Sequence, residues 1–90
     1  MTRYARTPEV IETAVDDELF VVLSGGEEIF HLDAIAAAIW RALAEPAGEA
    51  ELERLLEAAF PDVPARQIAA DVTTTLDRLS RNGLLVTADN

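Results

Sequence analysis

Within residues 27–40, EEIFHLDAIAAAIW, the apolar pattern changes from a strand's to a helix's at a single residue, and this constrains the fold more than any other feature. Ile29, Phe30 and Leu32 are strand formers, and strand alternation sets Ile29 and His31 on one face and Phe30 and Leu32 on the other. Asp33 stands where a helix N-cap belongs. Its short carboxylate can accept from the free N–H groups of the first turn, and its charge suits the positive end of the helix dipole. The helix expected over residues 34–43 aligns Ile35, Ile39 and Leu43, with Trp40 beside them and alanines between. A sheet edge and an apolar helix are thereby tied at one corner, and a core must close between them.

Upstream, residues 9–15 (EVIETAV) form a strand pattern with Ile11 and Thr13 on one face and Val10, Glu12 and Ala14 on the other. Asp16-Asp17 supplies turn chemistry, and residues 18–24 (ELFVVLS) are the clearest strand in the chain. Gly25-Gly26 follows at the spacing of a two-residue hairpin, so the third strand is expected over residues 27–32, closing a meander at whose edge it can lie. A phosphate-cradling loop at Ser24-Gly25-Gly26 is disfavoured, because it would lead into a strand rather than a helix and the chain has no lysine. Residues 1–8 carry no periodicity and read as a flexible arm, with Pro8 holding Thr7 extended and Tyr4 as a packing tag.

Downstream, Pro46 and Gly48 end the first helix. A second helix over residues 49–59 carries an apolar stripe of Leu52, Leu55, Leu56 and Ala59, continued by Phe60, with Glu49 and Glu51 in its first turn. Pro61 and Pro64 mark a linker in which Asp62 is a candidate cap. The third helix, residues 65–82, turns Ile68, Val72, Thr75, Leu76 and Leu79 to the core and stops at Asn82-Gly83. Its flanks differ: one shoulder holds the small Ala69, Thr73 and Ser80 with Arg66 and Asp77 at the rim, the other the longer polar Asp71, Arg78 and Asn82. Residues 84–86 are expected to lie back on the core as a tail or short strand, and 87–90 to fray. The class is α+β, a three-stranded antiparallel β-meander followed by a three-helix bundle, winged-helix-like, in one domain over residues 1–90.

Composition narrows the function classes. Seven basic residues, all arginine, stand against seventeen acidic ones for a net charge of −10, which opposes a nucleic-acid partner because phosphate binding depends on neutralising cations. The third helix could be a winged-helix recognition helix, but it offers Arg66, Arg78 and Arg81 against Asp71 and Asp77, so DNA binding ranks last among the readings. With no cysteine there is neither a disulfide framework nor a thiolate metal site. No apolar run reaches membrane-spanning length and no secretory pattern opens the chain, so no membrane partner and a cytoplasmic protein are expected.

Catalytic constellations are absent. His31 is the sole histidine, so no second imidazole can join it on a metal, and the acidic pairs lack calcium-loop spacing. Neither Ser24 nor Ser80 sits beside a candidate base. A noncatalytic protein without cofactor or metal is expected.

The segment IFHLDAIAAAIW resembles the strand-to-helix signature of the PqqD-like proteins, the peptide recognition elements of ribosomal peptide natural-product pathways. ELERLLEAAF is similar to that family's second helix, and IAADVTTTLDRLSRNGLL to its third with the Asn-Gly-Leu-Leu exit, so the likeness runs over residues 10–86. It implies a three-stranded sheet on a three-helix bundle that captures the leader segment of a precursor peptide and presents it to a modifying enzyme, whether a radical S-adenosylmethionine enzyme, a cyclase or a leader peptidase. It also implies that the leader adds as a strand to the third strand and lies against the third helix. Gly25-Gly26-Glu27-Glu28 replaces the Pro-Glu-Gly turn common in pyrroloquinoline quinone pathway members, which leaves the final product open.

Strand addition suits the residues independently, since an edge strand offers unpaired backbone groups and neighbouring pockets supply selection. The expected peptide site is the edge Glu28, Ile29, Phe30, His31 and Leu32, with Ala69, Thr73, Leu76 and Ser80 as groove floor and Arg66 and Asp77 reading charge at the rim. A second reading is a general interaction or dimerisation module in a regulatory system, pairing the same edge with another protein or as a homodimer.

Overall fold

The computed structural model of the chain describes residues 2–89. Strands β1 (Thr2–Arg6), β2 (Val10–Val15), β3 (Glu18–Leu23) and β4 (Phe30–Leu32) precede helix α1 (Ala34–Ala42). The two-residue strand β5 (Ala47–Gly48), helices α2 (Glu49–Ala59) and α3 (Ala65–Arg81) and strand β6 (Leu85–Asp89) follow. The α+β class and the antiparallel meander agree with the sequence, as β2, β3 and β4 form one sheet in that order. A second sheet, ordered β5-β1-β6, has no counterpart in the sequence pattern.

The β2–β3 hairpin turns on Asp16-Asp17, where Asp16 takes the positive φ, 55°, that primed two-residue turns require. Asp tolerates that conformation because its short side chain can bond locally. Gly25-Gly26 does not make the expected tight hairpin. Gly26 N–H closes a turn back to Leu23 O at 2.8 Å, with Gly25 (φ 83°) at the third turn position, as in a type II turn. The chain then runs irregularly to Phe30, so the third meander strand begins three residues later than expected and Glu27, Glu28 and Ile29 belong to a loop. The register of β3 on β4, Val21 opposite Phe30, is the one a Gly25-Gly26 hairpin would set, but the turn closed on Leu23 O takes residues 24–29 out of the ladder.

The expected arm and frayed tail pair with each other instead. β1 lies antiparallel to β6, from Thr2 opposite Asp89 to Arg6 opposite Leu85, and meets β5 through Arg3–Gly48 and Tyr4–Ala47. Met1 and Asn90 lie outside the described residues. Arg6 anchors this sheet to α1: its Nε and Nη2 donate to Trp40 O at 2.9 and 2.6 Å, and its guanidinium lies 4.9 Å from the Trp40 ring centroid. Pro8 and Glu9, the latter at φ 68°, turn the chain from one sheet into the other.

Asp33 caps α1 as expected, accepting Ala36 N–H at 2.9 Å. Glu51 accepts Gly48 N–H at 3.1 Å at the start of α2. Asp62 is not the cap of α3, whose first turn bonds to the carbonyl of Pro64. The exit of α3 is a Schellman stop, with Gly83 at φ 76°, Leu84 N–H on Leu79 O at 2.9 Å and Gly83 N–H on Ser80 O at 3.2 Å. Leu19, Val21 and Leu32 from the meander, Ile39 and Trp40 from α1, Leu52 and Leu56 from α2, and Ile68, Val72, Leu76 and Leu79 from α3 make one buried core. Among the described residues no helix is long and apolar enough to cross a membrane.

Candidate functional site: the β4 edge and its cleft

β4 ends its sheet, so one of its sides has no strand beside it. Which backbone groups face that side follows from the ladder. Ser24 N–H donates to Glu9 O at 2.8 Å, one pair beyond Val10–Leu23. Bonded and non-bonded pairs alternate in an antiparallel ladder, so Ser24, Val22, Phe20 and Glu18 aim their backbone groups at β2, and Leu19 and Val21 aim theirs at β4. Leu19 and Val21 face Leu32 and Phe30, which therefore bond to β3. His31, between them, turns its N–H and C=O to the open edge.

Side chains alternate the other way. Leu32 is fully buried and Phe30 packs against the core, while the His31 ring lies on the outer face, paired with the Glu18 carboxylate and 5.1 Å from the Phe20 ring centroid. Ile29 is 66% exposed in the loop before β4, and Glu28 is exposed beside it.

Beyond the edge lies a cleft of about 350 Å³ between α3 and the start of α1. Asp33, Ile35 and Ala36 form one wall, and Gln67, Asp71, Thr74, Thr75 and Arg78 the other. Arg78 reaches from α3 to β4, donating from Nη2 to His31 O at 2.7 Å.

The shoulder of α3 beside β4 is therefore the polar one, and the groove expected on the small-residue shoulder is not next to the edge. Thr73 donates to Glu49 on α2 at 2.8 Å, and Ala69 and Ser80, one and two turns away on the same flank, share that side. Ala69 is half-buried there, and the Ser80 hydroxyl is buried with no protein partner. Leu76 is core at 1% exposure. Arg66 is exposed, and Asp77 pairs with Arg81 at 3.1 Å. Small side chains let a neighbouring helix approach closely, and here that neighbour is α2.

The sequence pattern places none of these cleft residues in a binding site: it reads Asp33 as a cap, Ile35 and Thr75 as core and Asp71 and Arg78 as a polar shoulder, whereas Ile35 and Thr75 are half-buried on the cleft wall. A signal existed, because a shoulder that stays long and polar beside a core stripe is the one no helix covers. Among the described residues no group of three His, Cys, Asp or Glu side chains could hold a metal ion.

Fold and site together define a small α+β domain that sets a short edge strand beside a helix-lined cleft. The profile of the coenzyme PQQ synthesis protein D (PqqD) family matches residues 18–85, and the chain belongs to this PqqD-like family. Among solved structures it is similar to TbiB1 in complex with the TbiA(beta) leader peptide, at 27% identity and a TM-score of 0.75, over 90% of this chain and 93% of that one. No curated protein matches.

Proposed function

We propose that the protein is a noncatalytic adaptor that captures the leader of a ribosomally made precursor peptide by strand addition at β4 and presents it to a modifying enzyme. That enzyme would be a radical S-adenosylmethionine enzyme, a cyclase or a leader peptidase. The carrying observation is the outward N–H and C=O of His31 on an edge strand that opens onto a cleft, in a fold similar to that of the leader-bound TbiB1. An extended peptide bonded to His31 would continue the sheet, and its alternate side chains would enter the cleft between Asp33 and Asp71. The cleft adjoins β4 through Asp33, the residue after Leu32, and through Arg78, which bonds to His31 O.

The electrostatics support a peptide over a nucleic acid. Two of the three arginines on α3 are engaged within the protein, Arg78 with His31 and Arg81 with Asp77. The test is an NMR titration with peptides selected on the chain from a random-sequence display library. Amides of Phe30, His31 and Leu32 and of the Gln67 to Arg78 flank are expected to move first. Selected peptides that shift only other surfaces would remove the strand-addition reading.

A further inference from the structure

The outward carbonyl of His31 already has a donor. Arg78 Nη2 sits 2.7 Å from it, the distance at which the N–H of an added strand would stand. The guanidinium crosses from α3 to do this, so it spans the junction between the β4 edge and the cleft that Arg78 also lines. A cationic side chain laid over an edge is one way proteins protect strands against unwanted pairing.

We infer that Arg78 is a displaceable plug on the strand-addition site, a deduction that rests on the function proposed above. In the free protein it holds the acceptor that an incoming backbone needs. Carboxylates along the same cleft offer the released guanidinium a new partner. Asp33 uses Oδ1 for Ala36 N–H, which leaves its second oxygen, and Asp71 is half-buried on the cleft wall. Displacement therefore exchanges the His31 carbonyl for a solvent-accessible carboxylate acceptor, which recovers only part of the bond that is lost. The plug sets a threshold: a ligand must supply a regular backbone N–H opposite His31 and enough further contact to move Arg78, which short or irregular chains do not. It also closes the edge to a second copy of the protein.

The experiment compares the full chain with R78A and R78K, using display-selected peptides that shift the β4 amides of the unmodified chain. Dissociation constants for R78A are expected to fall about three- to ten-fold, the effect of one exposed charge-assisted bond no longer being broken, with R78K in between. Unchanged binding, or weaker binding as a direct ligand contact would give, overturns the plug. If no selected peptide shifts the β4 amides, the strand-addition reading fails on its own account, and sedimentation velocity decides the plug. A concentration-dependent dimer in R78A with protected β4 amides, against a monomeric unmodified chain, supports it, and identical sedimentation overturns it.

Discussion

Arg78 and Ser80 stand two positions apart on α3, and their surroundings set opposite expectations for substitution. Arg78 works at the open edge through its guanidinium. Ser80 turns inward, where its hydroxyl is buried without a protein partner. A buried unsatisfied hydroxyl costs about 1–3 kcal/mol in desolvation, and the methyl of alanine fills nearly the same volume. Ser80→Ala is therefore expected to leave stability unchanged or raise it by up to about 1 kcal/mol, with peptide binding unaltered. Urea denaturation checks the first expectation and the NMR titration the second. Weakened peptide binding in a stable Ser80→Ala variant would return Ser80 to the site. Single residues also show where local pattern suffices: Asp33 reads as a cap because the bond it makes, to Ala36 N–H three residues on, lies within its own turn.

At the scale of elements, the helices and the order of the meander were legible, and the start of β4 and the pairing of β1 with β5 and β6 were not. α2 falls on residues 49–59 as its apolar stripe and first-turn glutamates predict, and α3 ends at the Asn-Gly stop. Gly83 carries that stop with φ 76°. A Cβ placed there would meet nothing nearer than Leu23 Cδ1 at 3.6 Å, an ordinary contact, so the cost of substitution is conformational alone. Gly83→Ala is expected to destabilise by roughly 1 kcal/mol, and the β-branched Gly83→Val by more. Thermal unfolding reads both, and a Gly83→Val variant that melts at the same midpoint as the unmodified chain would refute the left-handed requirement. The α3 shoulders show the limit of reading one helix by itself. Ala69, Thr73 and Ser80 announce that something packs closely, but only the tertiary structure brings Glu49 of α2 to Thr73 on that flank.

For the whole molecule, the least legible feature is the sheet made from the two ends of the chain. Residues 2–6 have no apolar alternation to mark a strand, and their partners on β6 lie at the far end of the sequence, so no local window contains the pair. The consequence is that the N-terminal segment is structural. β1 is the central strand of its sheet, between β5 and β6, and Arg6 satisfies the Trp40 carbonyl while covering its ring. Thr7 adds two ties to the chain just past α3, N–H to Leu84 O at 2.9 Å and Oγ1 to Gly83 O at 2.6 Å. Removing residues 1–7 deprives β6 and β5 of their only ladder partner among the described residues and uncovers Trp40, which is otherwise 1% exposed. Small domains have only about 5–15 kcal/mol of stability in total, and a ninety-residue chain sits near the lower end. The truncated protein is therefore expected to lose most of its margin, with a red-shifted Trp40 emission and a urea midpoint lowered well beyond that of any single substitution above. A loose arm would leave both unchanged. The same truncation separates fold from site: β4, α1 and α3 make no ladder with β1, so a truncated chain that still folds in stabilising salt should retain peptide shifts at His31.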